Sequence, residues 1–452
     1  MSVMGAHITD SVLYRHLWGT DEVHALLDDE AKIQRWLDVL AALATAQAEV
    51  GLVPADAATA ITEHADVGLL DLAEVAAETR ACGHSTLGLI RCLRRVLPEH
   101  AREWVYYGAT VQDLTDTWTS LVMRDVTDLV VTELARLESA AVALARRHRD
   151  TVMPGRTHGQ PGLPITFGFK AAVWAAELRR HRSRLAEGRS RWEMVQLGGG
   201  LGTMEFWGER ALPLLEAFAR RLGLGVPDIP WITARDSVAE FAGVLALITA
   251  TVGKIGQEIY QLQRPEIGEV SEPFTPGQVG SITMPHKRNP ELSEHLVTLA
   301  RLVRADAAVA VEGMVSEHER DGRAWKAEWA IVPEICLYTH AAVRLAVRLL
   351  EGLQVHADRM RANVDAASGY LQSERVMHAL AAHVGKHAAH EAVYRAAMAG
   401  RERGIDLRTA LLTDATDATV ATYLSAEEID RCLDPTAALG ATGQLIDRVV
   451  GQ

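Results

Sequence analysis

The stretch from Leu114 to Asp150 contains neither glycine nor proline, and its apolar side chains recur at helical spacing: Leu121, Val122, Val126, Leu129, Val130, Leu134 and Leu137. At 1.5 Å per residue this is one helix about 55 Å long, far beyond the average globular helix. A second run, Ser237 to Gln263, places apolar residues almost all round the helix: Val238, Phe241, Val244, Leu245, Leu247, Ile248, Val252, Ile255, Ile259 and Leu262. Such a helix must be covered on every side. Further helical runs fall at 163–187, 290–312 and 326–353, the last with one interruption at Pro333. A single chain has too little surface to cover helices of this kind, which points to a central bundle shared between subunits.

The flanks have a different texture. Residues 1–112 read as shorter helices broken at Gly19, Gly51, Gly68 and Gly83, and residues from about 359 to 452 as short helices with turns near Gly369, Gly404 and Pro435. Alternating strand patterns are scarce. The expectation is an all-α chain in three segments: an N-terminal helical domain (1–112), a long-helix bundle (113–358) and a C-terminal helical domain (359–452).

The 452 residues call for more than one core, and 48% hydrophobic with 23% charged residues is globular composition. A net charge of −13 argues against a nucleic-acid surface. An anionic substrate therefore needs a locally basic pocket. No run of 18 apolar residues suggests a membrane span, and residues 1–7 lack a signal-peptide pattern, so a cytoplasmic protein is expected. Cys82, Cys92, Cys336 and Cys432 form no Cys-x-x-Cys pair and read as reduced thiols, with no metal site.

Four segments are rich in small polar and charged residues: Cys-Gly-His-Ser-Thr (82–86), Tyr-Gly-Ala-Thr-Val-Gln-Asp (107–113), Gly-Arg-Thr-His-Gly-Gln-Pro (155–161) and Gly-Ser-Ile-Thr-Met-Pro-His-Lys-Arg-Asn-Pro (280–290). The second leads into the long helix, whose N-terminus, capped by Thr110 or Asp113, is a natural carboxylate seat. The fourth is a flexible segment suited to closing over a small anion. It carries a hydroxyl, Ser281, and donors, Lys287 and Asn289, where negative charge develops.

In that order and spacing, Gly-x-Thr-x-x-Asp, Thr-His-x-Gln and Gly-Ser-x-x-Met-Pro-x-Lys-x-Asn resemble the three conserved regions of the fumarase/aspartase superfamily. The resemblance extends to the Leu-Ser-Ala-Glu-Glu-Ile-Asp segment near the C-terminus. Within it the chain is similar to the branch of adenylosuccinate lyases and 3-carboxy-cis,cis-muconate cycloisomerases. Residues 231–240 and 317–329 lean toward the cycloisomerases, whereas His158 leans toward the adenylosuccinate lyases. Trp325 and Trp329 read equally well as helix core or pocket.

The resemblance implies a cofactor-free homotetramer whose active sites are each built from several subunits, with a small dicarboxylate as substrate. The reaction it implies is anti β-elimination from a succinyl unit to give fumarate. Ser281 is then the base, His158 an acid or binding group, and Lys287 a stabiliser of the aci-carboxylate. His84, Ser85, Thr86, Thr110, Gln112, Thr157, Gln160, Asn289 and Arg320 hold the substrate. Ile282 and Val111 stand where many relatives have serine. Segments 83–90, 108–113 and 202–208 are most similar to nitrosuccinate lyases of actinobacterial antibiotic biosynthesis, which suggests carbon–nitrogen cleavage with nitrite leaving. A muconate cycloisomerase, an adenylosuccinate lyase-like enzyme and a non-catalytic structural relative are the alternatives.

Overall fold

The computed structural model describes residues 6–275, 277–413 and 419–451. Residues 1–5, read above for a signal peptide, lie outside them. Helix dominates, and strand among the described residues is confined to two small antiparallel pairs. The elements that carry the argument are α1 (Asp29–Glu49), α2 (Leu87–Val96), α3 (Val111–Arg147), the hairpin strands β1 (Val152–Thr157) and β2 (Gln160–Thr166), and α4 (Phe167–Trp192). After these come α5 (Asp236–Gln263), β3 (Val270–Ser271), α6 (Glu291–Glu312), α7 (Gly322–Glu351) and β4 (Gln354–Val355), which pairs with β3. Four shorter helices are α8 (Ser373–Val384), α9 (Lys386–Arg403), α10 (Leu407–Thr413) and α11 (Ala426–Leu433).

The chain divides into two compact units. The first is Met1–Glu133, His181–Ala250 and Thr298–Arg344; the second is Leu134–Arg180, Thr251–Val297 and Leu345–Gln452.

In the first unit α1 packs against Ala55–Glu63 and Ala211–Leu222 and buries Leu37, Leu40 and Leu43. From Gln112 to Met123 every residue of α3 is buried, polar ones included. Buried polar groups need partners, and here they have them: Thr117 Oγ1 donates to the Gln196 carbonyl and accepts the Gln196 N–H, both at 3.0 Å. Arg235, 1% exposed, joins two carboxylates, Asp116 at 2.7 Å and Glu328. Trp325 Nε1 donates to Asp116 at 3.1 Å, and the guanidinium of Arg235 lies 5.0 Å from the centre of the Trp231 ring. Trp325 is thus core, while Trp329 is partly exposed and meets it edge-on at 4.8 Å.

In the second unit the hairpin β1–β2 is followed by α4, and the C-terminal helices α8 to α11 close a core of their own around Val376, Leu380, Val393, Leu407, Leu411 and Ile429. Ser425 and Glu428 form a capping box at the start of α11.

Three details differ from the sequence reading. Residues 163–166 are strand rather than the start of a helix, because Pro161 and Pro164 have no N–H for a helical ladder and Pro164 pairs opposite Pro154. Helix α7 runs unbroken through Pro333, held by buried Val332, Ile335 and Cys336 around it. On α5 the apolar girdle is buried except for Leu247, which is 51% exposed. By length and composition α5 and α7 are apolar enough to cross a membrane, yet 67% and 78% of their most apolar windows are buried within the chain, the pattern of core helices. All four cysteines are free.

Candidate active site

The first unit carries one group of candidates, gathered where α3 begins. Thr110 precedes that helix, and its N–H donates to Asp113 Oδ2 at 2.9 Å. Asp113 also accepts the N–H groups of Gly198 (2.8 Å) and Gly199 (3.0 Å) and an amide N–H of Gln196 (3.2 Å). The carboxylate thereby pins the triple-glycine segment 198–200 to the helix start. Burial pushes its pKa up to about 6, against the pull of those donors.

Arg320 completes this group. It donates to Thr110 Oγ1 at 2.9 Å and to the carbonyls of Gly200 (3.0 Å) and Gly199 (3.4 Å). Its Nε is buried with no partner, and no carboxylate among the described residues pairs with the guanidinium. A cation satisfied only by neutral oxygens, beside the N-terminus of a long helix, has the charge and free donor to hold an anion.

His84 is exposed, and its Nδ1 accepts the N–H groups of Thr86 (3.4 Å) and Leu87 (3.3 Å) where α2 begins. Those bonds select the tautomer with hydrogen on Nε2. Ser85 is half-buried.

Two expected substrate contacts turn inward. Gln112 is 1% exposed, and its amide donates to the Ile232 carbonyl (2.8 Å) and Asp116 (3.1 Å), so it braces the core. Thr86 is fully buried, its hydroxyl against the phenol of Tyr106. Helical periodicity does not distinguish a polar residue facing a buried charge from one facing a ligand.

The second unit carries the other candidates on two projections. One is the tip of the β1–β2 hairpin, where Thr157 pairs with Gln160 across a two-residue turn. His158 (φ 53°) and Gly159 (φ 76°) are both left-handed, as a type I′ turn requires. All four residues are exposed. The hairpin is anchored just below its tip: Arg156 makes a bidentate pair, at 2.6 and 2.9 Å, with Glu269, whose side chain is fully buried. Asn363 donates to the same carboxylate at 2.7 Å.

The other projection is the 280–289 loop, whose stems are tied. Glu272 accepts the Leu292 and Ser293 N–H groups at 3.1 and 2.7 Å at the start of α6, and its own N–H donates to Gln263 at 2.7 Å. Asn289 Nδ2 donates to the Gly280 carbonyl at 2.9 Å and so closes the loop on itself. Ser281 Oγ accepts the Met284 N–H at 3.1 Å, a bond that favours the oxyanion. Lys287 is exposed, and Ile282 is 94% exposed. Among the described residues no hydrogen bond or ion pair joins the hairpin tip to this loop, and no cluster of His, Cys, Asp and Glu is arranged to hold a metal.

Tyr106 and the Gly198–Gly200 segment were not among the residues singled out from sequence, and Arg156 was noted only as part of the 155–161 segment. The Gly-Gly-Gly run was the available signal for the second; a tyrosine held in a left-handed conformation leaves none.

These elements make a mostly helical chain whose candidate residues lie on separated segments, and the similarities place it in a family. The family described as Lyase matches residues 3–304, and that described as Adenylosuccinate lyase C-terminus matches 369–449. The chain is 40% identical to the N-acetyl-S-(2-succino)cysteine lyase of Dickeya dadantii over 99% of its own length and 98% of the relative's. It is 38% identical to the nitrosuccinate lyase of Streptomyces davaonensis, covering 99% and 96%. The crystal structure of the 3-carboxy-cis,cis-muconate lactonizing enzyme from Pseudomonas putida superposes with a TM-score of 0.89, at 36% identity and 98% coverage of both chains. The chain belongs to the fumarase/aspartase superfamily and is an enzyme of its lyase class.

Proposed function

We propose that the enzyme removes a leaving group from a 2-substituted succinate by β-elimination, giving fumarate. The observation that carries this reading is the 280–289 loop, which keeps Ser281, Lys287 and Asn289 and directs a backbone N–H at Ser281 Oγ. Ser281 takes the proton from the carbon beside one carboxylate. The electron pair left behind spreads into that carboxylate, and Lys287 with the loop N–H groups meets the two negative oxygens. The pair then forms the double bond as the leaving group departs with the electrons of its own bond. Arg320 and Thr110 hold a substrate carboxylate; His84, Ser85, Thr157, Gln160 and Asn289 supply further donors.

The exposed hairpin tip and loop of a single chain support a site completed by other copies, as the superfamily resemblance implies. The division at residues 112 and 358 remains our proposal for the chain's organisation. A nitrogen leaving group, nitrite, was the expectation from sequence. Full-length similarity to an N-acetyl-S-(2-succino)cysteine lyase at 40% identity favours instead a thiolate leaving from a succinylated thiol. Nitrosuccinate is the second reading, favoured by 38% identity over nearly the whole chain. Thiolate and nitrite both leave as anions, so one site chemistry serves either.

Incubation with N-acetyl-S-(2-succino)cysteine, with nitrosuccinate and with 3-carboxymuconate tests the assignment. Fumarate with free thiol supports the first reading, and fumarate with nitrite moves it to the second. Consumption of carboxymuconate with no fumarate from either succinate would overturn both.

A further inference from the structure

We propose that Tyr106 binds substrate in this site, its phenol donating, with Arg320 and Thr110, to one carboxylate of the succinyl unit. The inference rests on the fumarate-forming reading above and begins from the backbone. Tyr106 has φ 61°, a left-handed conformation that a bulky side chain adopts only when its surroundings enforce it. Those surroundings are explicit. The carbonyl of the next residue, Tyr107, is gripped by Gln47 Nε2 at 2.6 Å and Trp207 Nε1 at 3.3 Å. Gly108 is also left-handed, and a Cβ there would collide with the Phe206 ring. The turn closes with Ala109 N–H donating to the Tyr106 carbonyl at 3.2 Å.

The strain has a consequence for the side chain. It holds the phenol against the hydroxyls of Thr86 and Thr110, within the field of Arg320. Arg320 Nε is buried without a hydrogen-bond partner, a donor that the neighbouring hydroxyls and carbonyls leave unmatched. A carboxylate offers about four lone-pair positions and is the acceptor this cluster lacks. Val111, the first residue of α3, has no side-chain donor to contribute. Burial holds the phenol well above its ordinary pKa, so it remains a donor at any working pH.

Titration calorimetry with fumarate, the product common to both leaving groups, tests the idea on wild type, Tyr106→Phe and Tyr107→Phe. Removing a donor to a charged acceptor predicts that Tyr106→Phe weakens fumarate binding about tenfold or more with an unchanged Tm. Tyr107→Phe, whose ring packs on Phe206, binds as wild type does. Equal fumarate affinity of wild type and Tyr106→Phe overturns the proposal and leaves the elimination reading standing. Absence of fumarate binding to wild type overturns both. Should Tyr106→Phe fold poorly, a tyrosine difference absorbance on adding fumarate, kept in Tyr107→Phe, supports the contact, and its absence from both proteins refutes it.

Discussion

The two units present their candidate groups in opposite ways. Around Thr110 and Arg320 in the first, the buried carboxylates are all engaged: Asp113 takes four N–H groups, and the neighbouring Asp116, Arg235 and Glu328 form a buried ion cluster. In the second, His158 and Lys287 stand exposed on a hairpin tip and a loop, with bracing confined to the stems at Arg156–Glu269 and Glu272. Orienting a carboxylate needs donors whose positions are fixed in advance. A base and an acid that must meet substrate after it enters need reach instead, with stems rigid enough to aim them. Substitutions in the buried ion cluster of the first unit should therefore register first as stability, and those on the projections of the second as rate.

The largest expected effect belongs to the loop. Ser281→Ala removes the proposed base and should lower kcat about 10³-fold or more. Its Tm should stay within a degree or two of wild type, since the hydrogen bonds of Ser281 stay within its own turn. Fumarate absorbance and a melting curve check the two halves of that statement. Retained turnover would return the base assignment to some other group.

The matching experiment in the first unit is Arg235→Met. It leaves Asp116 and Glu328 buried without their cation and should cost about 3–5 kcal/mol by denaturant unfolding. A loss below about 1 kcal/mol would mean the cluster is solvated and the contrast between the units is weaker than drawn.

How much of this was legible beforehand differs between the units for the same physical reason. Long helices announce themselves through period 3.6, and α3, α5 and α6 fall within a few residues of the runs read from sequence. The loop was legible because Gly280, Ser281, Pro285, Lys287 and Asn289 are unusual in combination. The hairpin was not: Pro154, Pro161 and Pro164 mask the strand alternation, and only His158-Gly159 hints at the turn. In the first unit burial was what the sequence did not show. Gln112 and Thr86 look like ligand donors by residue type, yet each turns inward, and nothing in a linear pattern marks Arg235 as the partner of Asp116 across more than a hundred residues.

A subtler consequence of bracing is its pH dependence. The Asp113 carboxyl ionises near 3.8 when unfolded and near 6 in the fold. Between those values the folded state holds a proton that the unfolded state has lost, so this group's contribution to stability falls as pH rises from about 4 to about 6. Asp113→Asn has no proton to lose. The stability of wild type relative to Asp113→Asn should therefore shrink across that window in melts at pH 4, 5 and 6. A difference that grows with pH would show that the four N–H donors outweigh burial and keep the carboxylate charged.

The smallest effect is expected at the hairpin tip, and it bears most directly on the leaving group. Alanine is a poor probe of His158, because φ 53° disfavours it and any loss would mix turn strain with chemistry. His158→Asn is cleaner: Asn-Gly is the preferred pair for a type I′ turn, so the tip keeps its shape while the imidazole is lost. A thiolate, with a pKa of about 8.5, departs as an anion unaided. An amine does not, and there a general acid contributes about 10²–10⁴-fold. With a thiolate or nitrite leaving group, His158→Asn should lower kcat by less than about tenfold, with a Tm equal to wild type or slightly above. A fall of about a hundredfold or more at unchanged Tm would make His158 the acid for a poor leaving group and move the substrate to a succinylated amine.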